Sequence, residues 1–298
     1  MSFAWQPQVG PQLAAIEADW CEQLLFGGAK FGGKSDYLLG DFLKGVEEYG
    51  PNWNGILFRI QLTDLEDLMR RAHEVYPLTG AQWKESKNTW VWPNGAILKM
   101  RYLRQLRDYK RYHGHSYTWI GFDELAEWPT DDHWRLMRTC LRWANASVPT
   151  KRMRASCNPG GVGHHWVKDY FIDPAPLGYE PLFDETVENH RMYIPSRYGD
   201  NQKGLEADPG YVGRLRGAGS PELVKAWLEG DWNVIQGAYF PEFSKDHVIA
   251  PFEIPEHWTR FCAFDWGSDA PFGVVWYAVS DGTVPHVQKN CIVQYREW

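Results

Sequence analysis

The residues best suited to chemistry form two sets. In Gly28-Ala29-Lys30-Phe31-Gly32-Gly33-Lys34-Ser35, Gly28 and Gly33 are separated by four residues and followed by Lys and Ser. This is the pattern of a phosphate-binding loop, in which glycines let backbone N–H groups converge on phosphate oxygens. Lys34 would then reach the β- and γ-phosphates, and Ser35 would hold Mg²⁺ through its hydroxyl. The second set, Asp123 and Glu124, ends the apolar run Tyr117-Thr118-Trp119-Ile120-Gly121-Phe122. Asp123 would orient Mg²⁺ and its water, and Glu124 would activate or position the attacking water, so the reaction implied is hydrolysis of ATP. Asn158, in Cys157-Asn158-Pro159-Gly160-Gly161, offers both a donor and an acceptor to a γ-phosphate; the plainer reading is an Asn-Pro-Gly turn.

These residues need a scaffold that brings strand ends to one edge. Glu22–Phe26 reads as a buried strand, and Asp36–Glu48 as a helix with Tyr37, Leu38, Asp41, Phe42 and Val46 at helical spacing, giving strand, loop and helix in the required order. Gly55–Ile60 is a second strand. Thr63, with Glu66 three positions on, predicts a capping box at a helix start. Pro93-Asn94-Gly95 predicts a hairpin between Thr89–Trp92 and Ala96–Met100. A helix is expected from Asp131 to about Ala144, then a strand over Lys151–Ser156. The class is α/β, a P-loop NTPase with a mainly parallel sheet. In such sheets ligands sit at the carboxyl ends of the strands, where Asp123 and Glu124 would face the loop.

Two further segments stay open on residues alone. Gln12, beside Pro11 before an Ala-rich helical stretch, reads either as an adenine contact or as an ordinary exposed helix amide. Arg101, Arg104, Arg107, Lys110 and Arg111 would share one side of a helix, either as a solvated charged face or as a site for DNA phosphates or a neighbour's nucleotide.

The 298 residues allow a large α/β domain plus a second unit, and 44% hydrophobic content fills a sizeable core. No apolar run reaches membrane-spanning length and no cleavable signal opens the chain, so a soluble intracellular protein is expected. The five cysteines are scattered without a CxxC pair, which points to neither a disulfide framework nor a zinc site. A net charge of −7 argues against a nucleic-acid-coating protein while leaving room for a local basic patch. The 17 tryptophans follow no repeat and read as core or lining residues. Residues 174–210 are rich in Pro, Gly and Asp, and 208–232 return to helical spacing, so 1–200 reads as the nucleotide domain and 201–254 as a lid or linker. From 255, three successive strands are expected to be antiparallel: Arg260–Phe264 with Asp265 at its end, Gly273–Val279, and one around Val287–Tyr295, with a turn at Ser280-Asp281-Gly282.

In order and spacing, Pro11-Gln12, the phosphate loop, Phe122-Asp123-Glu124, Ser156-Cys157-Asn158-Pro159, Gly237-Ala238-Tyr239-Phe240-Pro241-Glu242-Phe243 and Ala263-Phe264-Asp265-Trp266-Gly267 resemble the large terminase subunit of tailed bacteriophages. The resemblance covers nearly the whole chain. It implies an additional-strand ATPase that packages double-stranded DNA, working in the host cytoplasm as a homo-oligomeric ring with a small terminase subunit and a portal or procapsid, followed by an RNase H-like nuclease. It further implies that Gln12 contacts adenine, Ser156–Pro159 couple hydrolysis to movement, Arg111 is a finger reaching a neighbour's site, and Asp265 is the first acid of a second divalent-metal site for Mg²⁺ or Mn²⁺. The sequence departs from the family at Lys30, where many members carry Arg: the charge stays and the planar fork goes, which argues against a finger in cis. It also stops at Trp298, so the nuclease domain over 255–298 is expected to be incomplete and unable to cleave DNA. A helicase-like DNA-dependent ATPase and a nucleotide-switched capsid assembly protein are the competing functions.

Overall fold

In a computed structural model, which describes residues 4–144, 146–217, 221–233, 247–266 and 272–298, the apolar runs pair into a nine-stranded sheet. In chain order the elements are α1 (Pro11–Glu17), β1 (Gln23–Gly28), α2 (Lys34–Tyr49), β2 (Asn54–Arg59), α3 (Glu66–Val75), β3 (Gln82–Lys84), β4 (Thr89–Val91), β5 (Ile97–Tyr102), β6 (Trp119–Phe122), α4 (Asp132–Arg138), β7 (Arg152–Cys157), α5 (His164–Val167), β8 (Leu182–Asp184), β9 (Asn189–Ser196), α6 (Gln202–Ala207), α7 (Tyr211–Arg216) and α8 (Pro221–Glu229). The sheet order is β3-β4-β5-β2-β6-β7-β1-β9-β8. β5, β2, β6, β7, β1 and β9 run parallel, and antiparallel strands close both edges. β7 therefore lies between the strand that feeds the phosphate loop and the strand that ends in the acids, which is the additional-strand arrangement.

Side chains alternate across a strand, and the buried strands fill both faces. Leu24 and Phe26 of β1 join Leu57, Leu98, Met100 and Trp119 under Tyr37, Leu38 and Phe42 of α2. Leu25 joins Ile56, Phe58, Ile120, Phe122, Met153 and Ala155 in the opposite layer with Trp128, Trp134 and Phe171. The tryptophans of this unit are largely core residues; Trp53, Trp90, Trp119, Trp128 and Trp134 are fully buried. An ion cluster runs through the first layer: Asp41, itself buried, accepts from Trp119 Nε1 at 2.7 Å and lies 3.4 Å from Arg154 Nε.

The chain divides into two compact units, Met1–Tyr239 and Phe240–Trp298. In the second, β10 (Thr259–Asp265), β11 (Gly273–Val279) and β12 (Ile292–Glu297) form an antiparallel sheet in the order β10-β11-β12. Asp265 stands opposite Gly273, whereas Asp281 follows the far end of β11 and accepts hydrogen bonds from Trp258 and Thr283.

Several boundaries differ from expectation. Thr63 makes no cap: Thr63–Leu65 is a 3₁₀ turn and α3 starts at Glu66. The side-chain–backbone reciprocity appears instead between Gln105, which precedes the 3₁₀ segment Leu106–Arg111, and Asp108 within it. α4 stops at Arg138, because Tyr117 N–H donates to the Cys140 carbonyl and Arg142 N–H to the Tyr117 carbonyl, which draws the chain back to the sheet. The third antiparallel strand begins at Ile292, since Val287 is buried against Trp258 and Ala278 in the small core of the unit. Arg101 lies near the end of a strand while Arg107, Lys110 and Arg111 lie on the 3₁₀ segment, so the basic residues do not share a helix face. Residues 237–243 and Gly267, the last residue of the Ala263–Gly267 motif, lie outside the described residues.

Candidate active site

The phosphate loop leaves β1 through Gly28, whose φ of 128° and 2.4 Å clearance between a hypothetical Cβ and the Ser196 carbonyl allow only glycine. Ala29 N–H is held by that same carbonyl at 2.8 Å and Lys30 N–H by the Trp227 carbonyl of α8 at 2.7 Å. Gly33, left-handed at φ 72°, delivers the chain into α2. The first turn of this sixteen-residue helix thus points its free N–H groups and positive dipole end at the loop, a natural anion site. Lys34, buried at the first turn, donates to the Ala29 carbonyl and, at 2.8 Å, to Asn158 Oδ1. Burial pulls its ammonium below the ordinary lysine range and Glu124 pulls it back.

The acids face this loop from the end of β6. Asp123 is buried; its Oδ1 accepts from Ser35 Oγ at 3.1 Å and from Ser156 Oγ, and its Oδ2 lies 3.1 Å from Arg59 Nε. Glu124 sits at φ 59°, a left-handed conformation that costs a non-glycine residue roughly 1–2 kcal/mol and is tolerated where the surroundings enforce it. Here Glu124 N–H donates to Ser156 Oγ at 3.2 Å, and Asn158 Nδ2 donates to both carboxylate oxygens at 2.9 and 3.0 Å. Burial, then Asp123, lift the Glu124 carboxyl above the ordinary glutamate range against Lys34 and Arg59. Asn158 is therefore a bridge: it accepts from Lys34 and donates to Glu124, which makes it more than a turn residue.

Between the two sets lies a cleft of about 330 Å³ whose walls include Lys34, Ser35, Glu124, Asn158, Asn201 and Tyr211. The donor set fits a nucleotide with Mg²⁺. Ser35 and Asp123 already share a hydrogen bond, and Mg²⁺ typically takes one or two protein oxygens beside phosphate oxygens and water, so no dedicated carboxylate cage is required. Asp265 is exposed at the end of β10, and among the described residues no three potential metal-ligating side chains are grouped.

The remaining expected site residues are placed as follows. Gln12 is buried against the loop, with Nε2 donating to the Gly33 carbonyl at 2.9 Å and Oε1 accepting from Gln8 N at 2.6 Å. Gly32 packs on Ser196, its hypothetical Cβ only 2.6 Å from Oγ. Lys30 holds its ammonium 3.7 Å from the centre of the Trp227 ring. Arg111 is not in this cleft; it is exposed, donating to Tyr102 Oη at 2.8 Å and pairing with Asp108 at 3.6 Å. The sequence reading missed Arg59, an arginine at the end of the strand beside β6, where parallel register was the only available signal. It also missed the fastening of α6 and α7: Asn201 donates to the Phe31 carbonyl at 2.7 Å, and Tyr211 stacks on Phe31 with centroids 4.2 Å apart.

A profile of the family described as terminase large subunit, T4-like virus type, N-terminal, matches residues 25–244. No curated protein matches the chain. Among solved structures, the large terminase of a thermophilic bacteriophage in complex with ADP is similar, with a TM-score of 0.57 and 15% identity over 98% of this chain and 68% of that one. The same enzyme with ATP-γ-S gives 0.55 and 14% over the same shares. The large terminase ATPase domain of Thermus phage P74-26 gives 0.53 and 14% over 76% of this chain and 94% of that domain.

Proposed function

The chain belongs to the large terminase subunits of T4-like type, matched through their N-terminal part, and on that premise we propose that its cleft hydrolyses ATP with Mg²⁺ to move double-stranded DNA into a phage capsid. The observation that carries the reading is the unbroken hydrogen-bonded path from the Lys34 ammonium through Asn158 to the Glu124 carboxylate.

In this reading the loop N–H groups and Lys34 grip the phosphates. Lys34 exchanges the Ala29 carbonyl and Asn158 for phosphate oxygens. Ser35 and Asp123 hold the Mg²⁺, which when bound neutralises phosphate charge. Asp123 keeps Arg59 as its neighbour on the other oxygen. Glu124 accepts the proton of the attacking water, a role favoured by a carboxyl raised toward neutrality. Asn158, released by Lys34 when a γ-phosphate is present, reports that change to Glu124. Gly28, Gly32 and Gly33 admit the phosphates, Lys30 lines the loop, and Gln12 contacts the adenine while bracing Gly33. Arg111, absent from its own cleft, completes the site of a neighbouring subunit in a ring that works in the host cytoplasm with a small terminase subunit and a portal or procapsid.

For the domains, residues 1–200 are the ATPase, 201–254 its lid and linker, and 255–298 the opening of an RNase H-like nuclease. The fastening of Asn201 and Tyr211 to Phe31 supports the lid role. The test is phosphate release by the full chain with and without duplex DNA: Mg²⁺-dependent turnover, raised by duplex and lost in Glu124→Gln, is expected. Turnover that survives Glu124→Gln, or that duplex leaves unchanged, overturns the reading.

A further inference from the structure

His164 opens α5 and is buried, and the nucleotide cleft does not use it. Its ring joins two backbone groups. Gly160 N–H donates to Nδ1 at 2.9 Å, so Nδ1 carries no proton, and Nε2–H donates to the Trp232 carbonyl at 3.0 Å. A backbone N–H can only donate, which fixes this neutral tautomer. Burial, then His165, pull the ring below the ordinary histidine range against the bond to Trp232. The indole of Trp232 lies over the ring, with centroids 5.3 Å apart, and its Nε1 donates to Tyr193 Oη of β9 at 3.2 Å.

The two groups so joined lead to the two halves of the site. Gly160 lies just past Asn158, the bridge between Lys34 and Glu124. Its loop has little freedom: Gly161 is left-handed at φ 79°, a hypothetical Cβ there would stand 2.7 Å from the Ala126 carbonyl, and Gly163 N–H donates to that carbonyl at 2.8 Å. Trp232 lies just past α8, which holds the phosphate loop in two ways. The Trp227 carbonyl accepts from Lys30 N–H, and a hypothetical Cβ on Gly230 would stand 2.8 Å from Ala29 N. A circuit of contacts thus runs from the phosphate loop through α8 and Trp232 to His164, Gly160 and Asn158, and back to Lys34. A leucine would fill the same space and leave a buried N–H and a buried C=O without partners. Packing alone does not call for a ring with an acceptor on one side and a donor on the other.

We propose that His164 is a positioning residue for hydrolysis, binding the Asn158 loop to the chain at Trp232 so that the two move as one body. When a γ-phosphate draws Lys34 off Asn158, the shift of the loop passes through the imidazole to Trp232, the last buried residue among those described in the first unit. In the reverse direction, the seating of Trp232 sets the reach of Asn158 to Glu124. The proposal rests on the hydrolytic reading of the cleft for the event at Lys34.

In the test, the full chain is labelled with fluorotryptophan, and the Trp232 resonance is assigned in fluorine NMR by its loss in Trp232→Phe. ATP-γ-S with Mg²⁺ should shift that resonance in the parent and leave it in place in His164→Leu, although a fluorescent ATP analogue binds both proteins with affinities within about twofold. A misplacement of about 1 Å remote from the chemistry costs roughly a hundredfold, so kcat in His164→Leu should fall at least about tenfold with KM held. His164→Gln, whose one amide offers both an acceptor and a donor, should restore the shift and most of the rate. A merely structural role predicts otherwise: kcat falls only in step with the melting temperature, and Trp232 still answers ATP-γ-S in the leucine variant. Either result overturns the proposal, as does a parent whose Trp232 resonance ignores ATP-γ-S. A parent that shows the shift and hydrolyses nothing refutes the hydrolytic reading while supporting the link from the cleft to Trp232. Should His164→Leu fail to fold, His164→Asn takes its place, since it keeps an acceptor for Gly160 and is too short to reach Trp232; the same loss of shift and rate is expected.

Discussion

Asn158→Leu conserves volume and removes both halves of the bridge. Glu124 loses the two contacts from Nδ2 at 2.9 and 3.0 Å, and Lys34 loses its 2.8 Å acceptor while keeping the Ala29 carbonyl. Burial and Asp123 already lift the Glu124 carboxyl, so losing donors to its ionised form raises it further. Hydrogen bonds to a charged group contribute about 1.5–3 kcal/mol, and about 1.4 kcal/mol is tenfold in proton affinity, so the increase is roughly ten- to a hundredfold. A carboxylate acting as base is lost by protonation as pH falls through its folded value. The acid limb of turnover should therefore move toward neutral by about one to two pH units, with recovery above it. The assay is phosphate release at saturating ATP and Mg²⁺ from about pH 5 to 9 for parent and variant. A uniform drop at every pH with the limb unmoved would refute the reasoning and place the role of Asn158 on the phosphates alone.

Lys34→Ala should abolish hydrolysis and nucleotide affinity, whereas Glu124→Gln should still bind a fluorescent ATP analogue and lose turnover by at least about a hundredfold. Arg111→Ala should be inactive as a ring yet regain activity when mixed with Glu124→Gln protein, since a finger in trans is worth roughly 10³ to 10⁵ in rate; absence of rescue at every ratio counts against it. The chain should leave supercoiled plasmid intact with Mn²⁺, because a two-metal nuclease holds its ions about 4 Å apart with several carboxylates, and Asp281 lies at the far end of the β10–β11 hairpin from Asp265, roughly 23 Å along the strand. Linearisation abolished by Asp265→Ala would show that a ligand set was missed. Asp41→Leu should destabilise the first unit by about 3–5 kcal/mol in urea titrations, since it leaves the buried Arg154 guanidinium without its carboxylate; a change within error would mean that the Arg154 bonds to the Ala18 and Cys21 carbonyls suffice.

Local chemistry is readable wherever it depends on a few contiguous residues. The loop from Gly28 to Ser35 is specified by glycines that alone tolerate its backbone and by the helix that must follow, and both observed boundaries fall within two residues of those expected. The acids after β6 are readable because an apolar run ending in Asp-Glu delivers carboxylates to a strand end. The capping box at Thr63 and the full extent of the helix from Asp131 fail for one reason. Spacing describes what a segment can do alone, while contacts such as Tyr117 with Cys140 decide where the chain leaves the helix.

From the sequence alone come the reaction class, the phosphate loop, the acidic pair and the α/β architecture, because each follows from residue type and short-range geometry. Tertiary structure alone decides that β7 lies between β1 and β6, that Asn158 therefore bridges Lys34 and Glu124, and that Arg59 stands beside Asp123. It also sets Arg111 outside its own cleft and seats the His164 ring between Gly160 and Trp232. Strand order and register determine these neighbours, and both depend on how distant apolar faces share one core, which no local pattern encodes.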